Sequence, residues 1–116
     1  MLYCIILLAA FHAVIYMSPE CMAGRASFPS NLWSFGLTAL HLATGKVPWG
    51  HVRDEMGNVM NEGQLMFHIA QRRNAHPLPD NLPAWLLRVL QGCLAYHPKD
   101  RPTCQSLVEL LTAPDQ

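Results

Sequence analysis

Charge is scarce in this sequence. Asp, Glu, Lys and Arg supply only 14% of its 116 residues while 51% are hydrophobic, against roughly 25% charged residues in average chains. Eight basic and eight acidic side chains cancel, and no run of like charges occurs, which excludes a basic or acidic tail. A balance near zero gives no electrostatic attraction for nucleic acid or an anionic membrane, so no nucleic-acid partner is expected. The length suits one small domain. The apolar excess is more than such a domain buries alone. A piece cut from a larger fold would have this composition, and so would a membrane-attached protein.

Metal-type and catalytic spacings are lacking too. Cys4, Cys21, Cys93 and Cys104 include no CxxC pair, and no His stands beside them at zinc-ligand spacing. Four thiols could form two disulfides, but the expectation is reduced, mostly buried cysteines in a cytoplasmic protein. No HExxH and no Ser/His/Asp arrangement emerges. His41 reads as a satisfied core residue, and Trp33, Trp49 and Trp85 as packing residues. No alternating strand pattern exceeds a few residues, and no repeat or low-complexity tract occurs. The expected fold class is all-α.

What is present begins with an apolar segment. Met1 to Met17 contains no Asp, Glu, Lys or Arg, and its length touches the lower edge of the roughly 17–25 residues that span a bilayer. Four readings stay open: a signal peptide lacking its basic n-region, a membrane anchor interrupted by His12, a buried element of a truncated domain, or an artefact of the reading frame. Membrane association is the less favoured of these. From Ser18 the texture changes. Ser30 and Asn31 are capping residue types and Gly45 suits a helix C-terminus. Between them LWSFGLTALHLAT is apolar on nearly all sides, which predicts a central helix covered by other elements.

Further helices are expected around Leu65, Met66 and Ile69, ending near Arg73, and around Leu86, Leu87, Leu90 and Leu94, ending at His97-Pro98. The last uses Leu107, Val108, Leu110 and Leu111. Pro77, Pro79 and Pro83 keep the stretch before the second of these helices irregular, with Pro83 in its first turn.

Three motifs stand in fixed order: Tyr16-Met17-Ser18-Pro19-Glu20; Asn31-Leu32-Trp33-Ser34-Phe35-Gly36, continued by Ala43-Thr44-Gly45-Lys46-Val47-Pro48-Trp49; and His97-Pro98-Lys99-Asp100-Arg101-Pro102-Thr103. Each is weak alone. Together they resemble the C-terminal part of a eukaryotic Ser/Thr protein kinase catalytic domain. The first resembles the APE end of the activation segment, the second the start of the long buried helix of the helical C-lobe, and the third the P-x-x-R-P-T before the last helix. The style is closest to the MAP kinase kinase kinases and sterile-type kinases. The resemblance runs from about residue 15 to 112, leaving residues 1–14 unmatched and 113–116 as a tail.

The resemblance implies structural motif residues Ser18, Pro19, Glu20, Asn31, Trp33, Ser34, Gly36 and Arg101, with Glu20 and Arg101 forming a buried ion pair. It implies ATP and Mg²⁺ for the complete domain, and a protein substrate or partner kinase as partner. Two departures matter. Asn31 stands where the family has an aspartate that accepts backbone N–H groups of the catalytic loop, and His12 to Ile15 replace a peptide-positioning stretch, so its threonine is missing.

Phosphoryl transfer needs a glycine loop and lysine on the phosphates, acids on Mg²⁺ and a catalytic aspartate. No G-x-G-x-x-G occurs, and the only lysines, Lys46 and Lys99, belong to the motifs above. His51-Val52-Arg53-Asp54 resembles the catalytic HRD loop superficially but has an inserted Val and follows the APE-like motif instead of preceding it. Asp54-Glu55-Met56-Gly57 is likewise no DFG. The expectation is therefore a partial domain, with no catalytic, cofactor-binding or metal-binding residue of its own.

Overall fold

The computed structural model describes residues 14–72 and 76–112. The readings of the N-terminal segment fall mostly outside these residues, as do Cys4 and His12. Five α-helices occur among them: α1, Pro19–Met22; α2, Phe28–Thr44; α3, Glu62–Arg72; α4, Ala84–Cys93; and α5, Cys104–Thr112. Single 3₁₀ turns at Val14–Tyr16 and Pro98–Asp100 complete the order. Among the described residues the only β-type pairing is an isolated bridge between Arg53 and Val59. The fold is the all-α, C-lobe portion of a kinase domain.

Helix α2 is central, with α4, the 3₁₀ turn at Val14–Tyr16 and the turn at Pro98–Asp100 packed around it, while α1 packs on α3 and α5 on α4. It starts earlier than the capping residue types suggest. Ser27 is the N-cap, Pro29 sits in the first turn, and the Ser27 N–H donates to Ser30 Oγ at 3.0 Å. Ser30 and Asn31 are therefore inside the helix, and Asn31 caps nothing. The far end matches expectation: Gly45 adopts φ 71° and its N–H donates to the His41 carbonyl at 2.8 Å, a left-handed stop that favours glycine.

Trp33, Leu37 and Leu40 of α2 enter one cluster with Ile69, Leu90 and Leu94. On the other side Leu32 meets Val89, Cys93 and Leu107. Expected all-round coverage of α2 is not found. Phe28, Phe35 and Leu42 are exposed, because no described element lies against that side. The segment from His76 to Pro83 is irregular, and Pro83 is the N-cap of α4, just outside its first turn. Helix α4 stops at Cys93, ahead of His97, with Leu94 as its C-cap.

Gly36 sets the closest approach of α2 and α4. A Cβ there would stand 3.0 Å from Cys93 Cβ and 3.0 Å from Leu94 Cδ2, closer than packed carbons tolerate. Gly36→Ala should lower stability by about 1–3 kcal/mol through overpacking, read as a shift in the urea-unfolding midpoint. An unchanged midpoint would show that the two helices separate freely.

Candidate functional site

The site begins with a helix too short to hold itself. Helix α1 has four residues; Ser18 caps it by accepting the Cys21 N–H at 3.2 Å, and Pro19 occupies its first turn. This places Glu20 in a buried position beside the start of α2. Ser30 Oγ donates to Glu20 Oε2 at 2.7 Å, so one hydroxyl serves both the start of α2 and the carboxylate.

Arg101 arrives from the end of the 3₁₀ turn that follows α4. Its Nη1 donates to Glu20 Oε2 at 2.7 Å and its Nη2 to Oε1 at 3.0 Å, the bidentate geometry that suits guanidinium and carboxylate. Nη1 also donates to the Pro29 carbonyl at 2.9 Å, Nη2 to Tyr96 O at 3.0 Å and Nε to Ala95 O at 2.8 Å. All five guanidinium N–H donors are thus used. The Arg101 Cζ also stands 5.1 Å from the centroid of a Trp33 ring, a cation–π contact. The expected Glu20–Arg101 pair exists, bridging 81 positions of sequence. Burial pushes the Glu20 carboxyl up, but hydrogen bonds from Arg101, Ser30 and its own backbone amide, with the Arg101 charge, outweigh this and hold it below its ordinary 4.5.

A second tie lies one turn along α2. Ser34 Oγ donates to the Tyr16 carbonyl at 2.8 Å, and Tyr16 Oη meets His41 Nδ1 at 2.7 Å. Seven of the eight motif residues named from the sequence (Ser18, Pro19, Glu20, Trp33, Ser34, Gly36 and Arg101) therefore lie in or against one junction between α1, α2 and α4. Asn31 has no recorded contact with this junction; it is half-buried within α2.

The Ser30 bridge and the Tyr16–His41 contact were not legible in the sequence. Ser27 three residues before Ser30 was the available signal for the first. The third motif also ends functionally: Thr103 and Ser106 exchange backbone-to-hydroxyl bonds of 2.9 and 3.0 Å at the start of α5, a reciprocal cap.

The HVRD stretch forms a tight turn. Arg53 Nη1 donates to the Gly50 and Val52 carbonyls at 2.7 and 2.9 Å. Asp54 Oδ1 accepts the Met56 and Asn58 amides, both at 2.9 Å. Lys46 and Lys99 are exposed. These residues do not fit ATP and Mg²⁺: both loop charges are engaged with backbone, and neither lysine stands beside an acid cluster. No step of phosphoryl transfer is assigned to them.

Nearby, Trp49 takes φ 62°, and its N–H donates to His76 Nε2 at 3.0 Å while His76 Nδ1 stands 2.8 Å from the Pro77 carbonyl. These bonds require neutral His76 with its proton on Nδ1. Burial lowers its pKa below the usual 6.5, the Pro77 carbonyl opposes, and His51 lowers it further. Cys93, packed under α2, is pushed up by burial to about 11 against the nearby Arg101 charge, while Cys104 is exposed, so the thiols are not uniformly buried.

With this geometry in place, comparison with known proteins gives a consistent result. The protein kinase domain family model matches residues 9–111, reaching upstream of residue 15. The chain is 32% identical over 95 residues to mitogen-activated protein kinase kinase kinase 2 of Arabidopsis thaliana, covering 81% of this chain and 14% of that protein. It is 34% identical over 97 residues to the serine/threonine-protein kinase PknA of a Nostoc species, covering 83% of this chain and 15% of that protein. It is 33% identical over 105 residues to the serine/threonine-protein kinase SSK22 of Saccharomyces cerevisiae, covering 86% and 7%. The chain belongs to the protein kinase domain family. It constitutes a partial Ser/Thr kinase domain and spans less than a quarter of the length of these relatives.

Two outcomes follow. Ser30→Ala removes a donor to a buried carboxylate and should cost about 1–3 kcal/mol in urea unfolding; a cost near zero would show that water replaces the hydroxyl. Acid should act in two stages. His76 is held neutral, so its contribution is complete above pH 6.5 and declines as pH falls below that value. Glu20 is held ionised, so its contribution is complete above 4.5 and is lost as pH falls through its lower folded value. A stability–pH profile flat from pH 7 to 5 in the native chain, and identical in His76→Gln, would contradict the first stage.

Proposed function

We propose that this chain is the substrate-side, structural portion of a cytoplasmic Ser/Thr kinase whose complete domain transfers the ATP γ-phosphate to protein Ser/Thr. The observation that supports it best is the Glu20–Arg101 pair with its full set of donors, since it fixes the end of an activation-type segment onto the helical lobe. Substrate proteins or a partner kinase are the partners this reading implies, and the neutral charge balance gives no reason to add nucleic acid. Among the described residues no helix is long and apolar enough to cross a membrane. ATP and Mg²⁺ belong to the complete domain on this reading.

A second reading, a non-catalytic interaction module of kinase-like shape, draws on one specific feature. Asn31 replaces the family aspartate and has no recorded contact with the Glu20–Arg101 junction, so the link to a catalytic loop is the weakest part of the motif set. The upstream transcript separates the two readings: HRD and DFG motifs in frame support the partial catalytic domain, and a mature transcript beginning at Met1 supports the module. Both readings predict that isothermal calorimetry of the purified chain with ATP and Mg²⁺ gives no binding heat. Micromolar binding would overturn them.

A further inference from the structure

Trp49 is held in a backbone conformation that bulky residues rarely take. Its φ of 62° lies in the left-handed region, where such a residue persists only when its neighbours fix it. One support comes from a distant loop: the Trp49 N–H donates to His76 Nε2 at 3.0 Å, across 27 positions of sequence. His76 Nδ1 stands 2.8 Å from the Pro77 carbonyl, and the His76 ring lies 4.5 Å from a Trp49 ring at 66°. We propose that Trp49 and His76 form a proton-operated latch joining the turn at 46–51 to the Pro-rich segment 76–83. It is closed while His76 is neutral and opens when His76 takes up a proton. This device is independent of the kinase-domain reading.

The chemistry of the bond sets the direction. Only a neutral imidazole with its proton on Nδ1 offers Nε2 as an acceptor. A second proton must go to Nε2, which turns the acceptor into a donor facing the Trp49 donor. The bond is then lost, and contact between the two rings does not restore an acceptor to the amide. His76 is half-buried, so protons reach it from solvent.

The surroundings give the imidazolium no compensation. The two loops wall a groove of about 780 Å³, lined by Leu40 and Thr44 of α2, Val47 and Pro48 of the turn, and Pro79 and Leu82 of the segment. Its titratable lining consists of Lys46, His51 and His76, with no carboxylate among them. The His51 ring lies 5.4 Å from that of His76, and His68 of α3 lies 6.4 Å from a Trp49 ring. Asp80, on the same segment, is exposed and does not line the groove. Burial and the neighbouring His51 accordingly push the His76 pKa below 6.5, and the proton is taken up by opening. Pro77, Pro79 and Pro83 supply no backbone N–H to hold the freed wall, so the shape of the groove follows pH.

The full chain, isotope-labelled, is followed by NMR from pH 8 to pH 5. Ring nitrogen shifts of His76 should report the Nδ1–H tautomer at pH 8. Trp49 amide hydrogen exchange, corrected for its intrinsic pH dependence, should rise at least about tenfold as His76 titrates, with a midpoint below 6.5. The Leu94 amide, bonded to the Leu90 carbonyl at 2.9 Å, should stay protected throughout. His76→Gln supplies a carbonyl acceptor that does not titrate, so the step should vanish, while His97→Gln, outside the groove, should leave it unchanged.

Continued protection of Leu94 verifies that each variant is folded. If it is lost in His76→Gln, His51→Gln replaces that variant: removing the neighbouring charge should raise the Trp49 midpoint, and an unmoved midpoint would overturn the latch. So would a flat Trp49 profile in the native chain, the Nε2–H tautomer at pH 8, or a step that survives His76→Gln. Loss of Leu94 protection together with Trp49 in the native chain would also overturn it, because the event would then be global unfolding.

Discussion

Arg101 donates every guanidinium N–H it possesses: to both oxygens of Glu20 and to the carbonyls of Pro29, Ala95 and Tyr96. Those acceptors belong to α1, the first turn of α2 and the segment after α4, so one side chain closes the junction of three elements. A buried ion pair is poor evidence of net stabilisation, because removing two charges from water costs nearly as much as their attraction returns. Its force is in specification. Neither charge tolerates burial without the other, so the four-residue α1, unable to persist alone, is held at one place on α2. Ser30 adds the same constraint from inside α2, and Trp33 supplies the wall on which the guanidinium lies.

The second constraint is incomplete coverage. Helix α2 has the composition of a helix buried on all sides, yet one of its stripes faces outward among the described residues. An apolar stripe of this length on a small domain calls for an occupant. The same shortage of cover fits the apolar composition of the chain, 51% hydrophobic. Two constraints therefore meet on α2: the side bearing Ser30, Trp33 and Ser34 fastens α1, Arg101 and Tyr16, and the side bearing Phe28, Phe35 and Leu42 is exposed among the described residues.

Long-range motifs were the legible part of the sequence. Glu20 and Arg101 could be paired from the sequence because a buried charge needs a counter-charge and the resemblance says which. Helix types and approximate ends were legible from spacing and from Gly45, Pro83 and Pro102. The start of α2 was misread, since Ser27, Ser30 and Asn31 are all capping residue types and only backbone geometry distinguishes them; Ser30 is used for its hydroxyl inside the helix instead. The exposure of Phe35 and Leu42 could not be read from periodicity, because an all-apolar helix does not reveal which neighbour is absent. Nor could the Trp49–His76 bond, which joins residues 27 positions apart through an irregular loop with no motif of its own.

The central claim is that Glu20 and Arg101 act as one unit, and a double-mutant cycle measures this directly. Urea unfolding of the native chain, Glu20→Gln, Arg101→Met and the double variant at pH 7 gives the coupling free energy. A value of about 2–3 kcal/mol, with the double variant more stable than the sum of the single losses implies, is the predicted result. A coupling below about 0.5 kcal/mol, as found for exposed pairs, would contradict it and show that the two charges act independently.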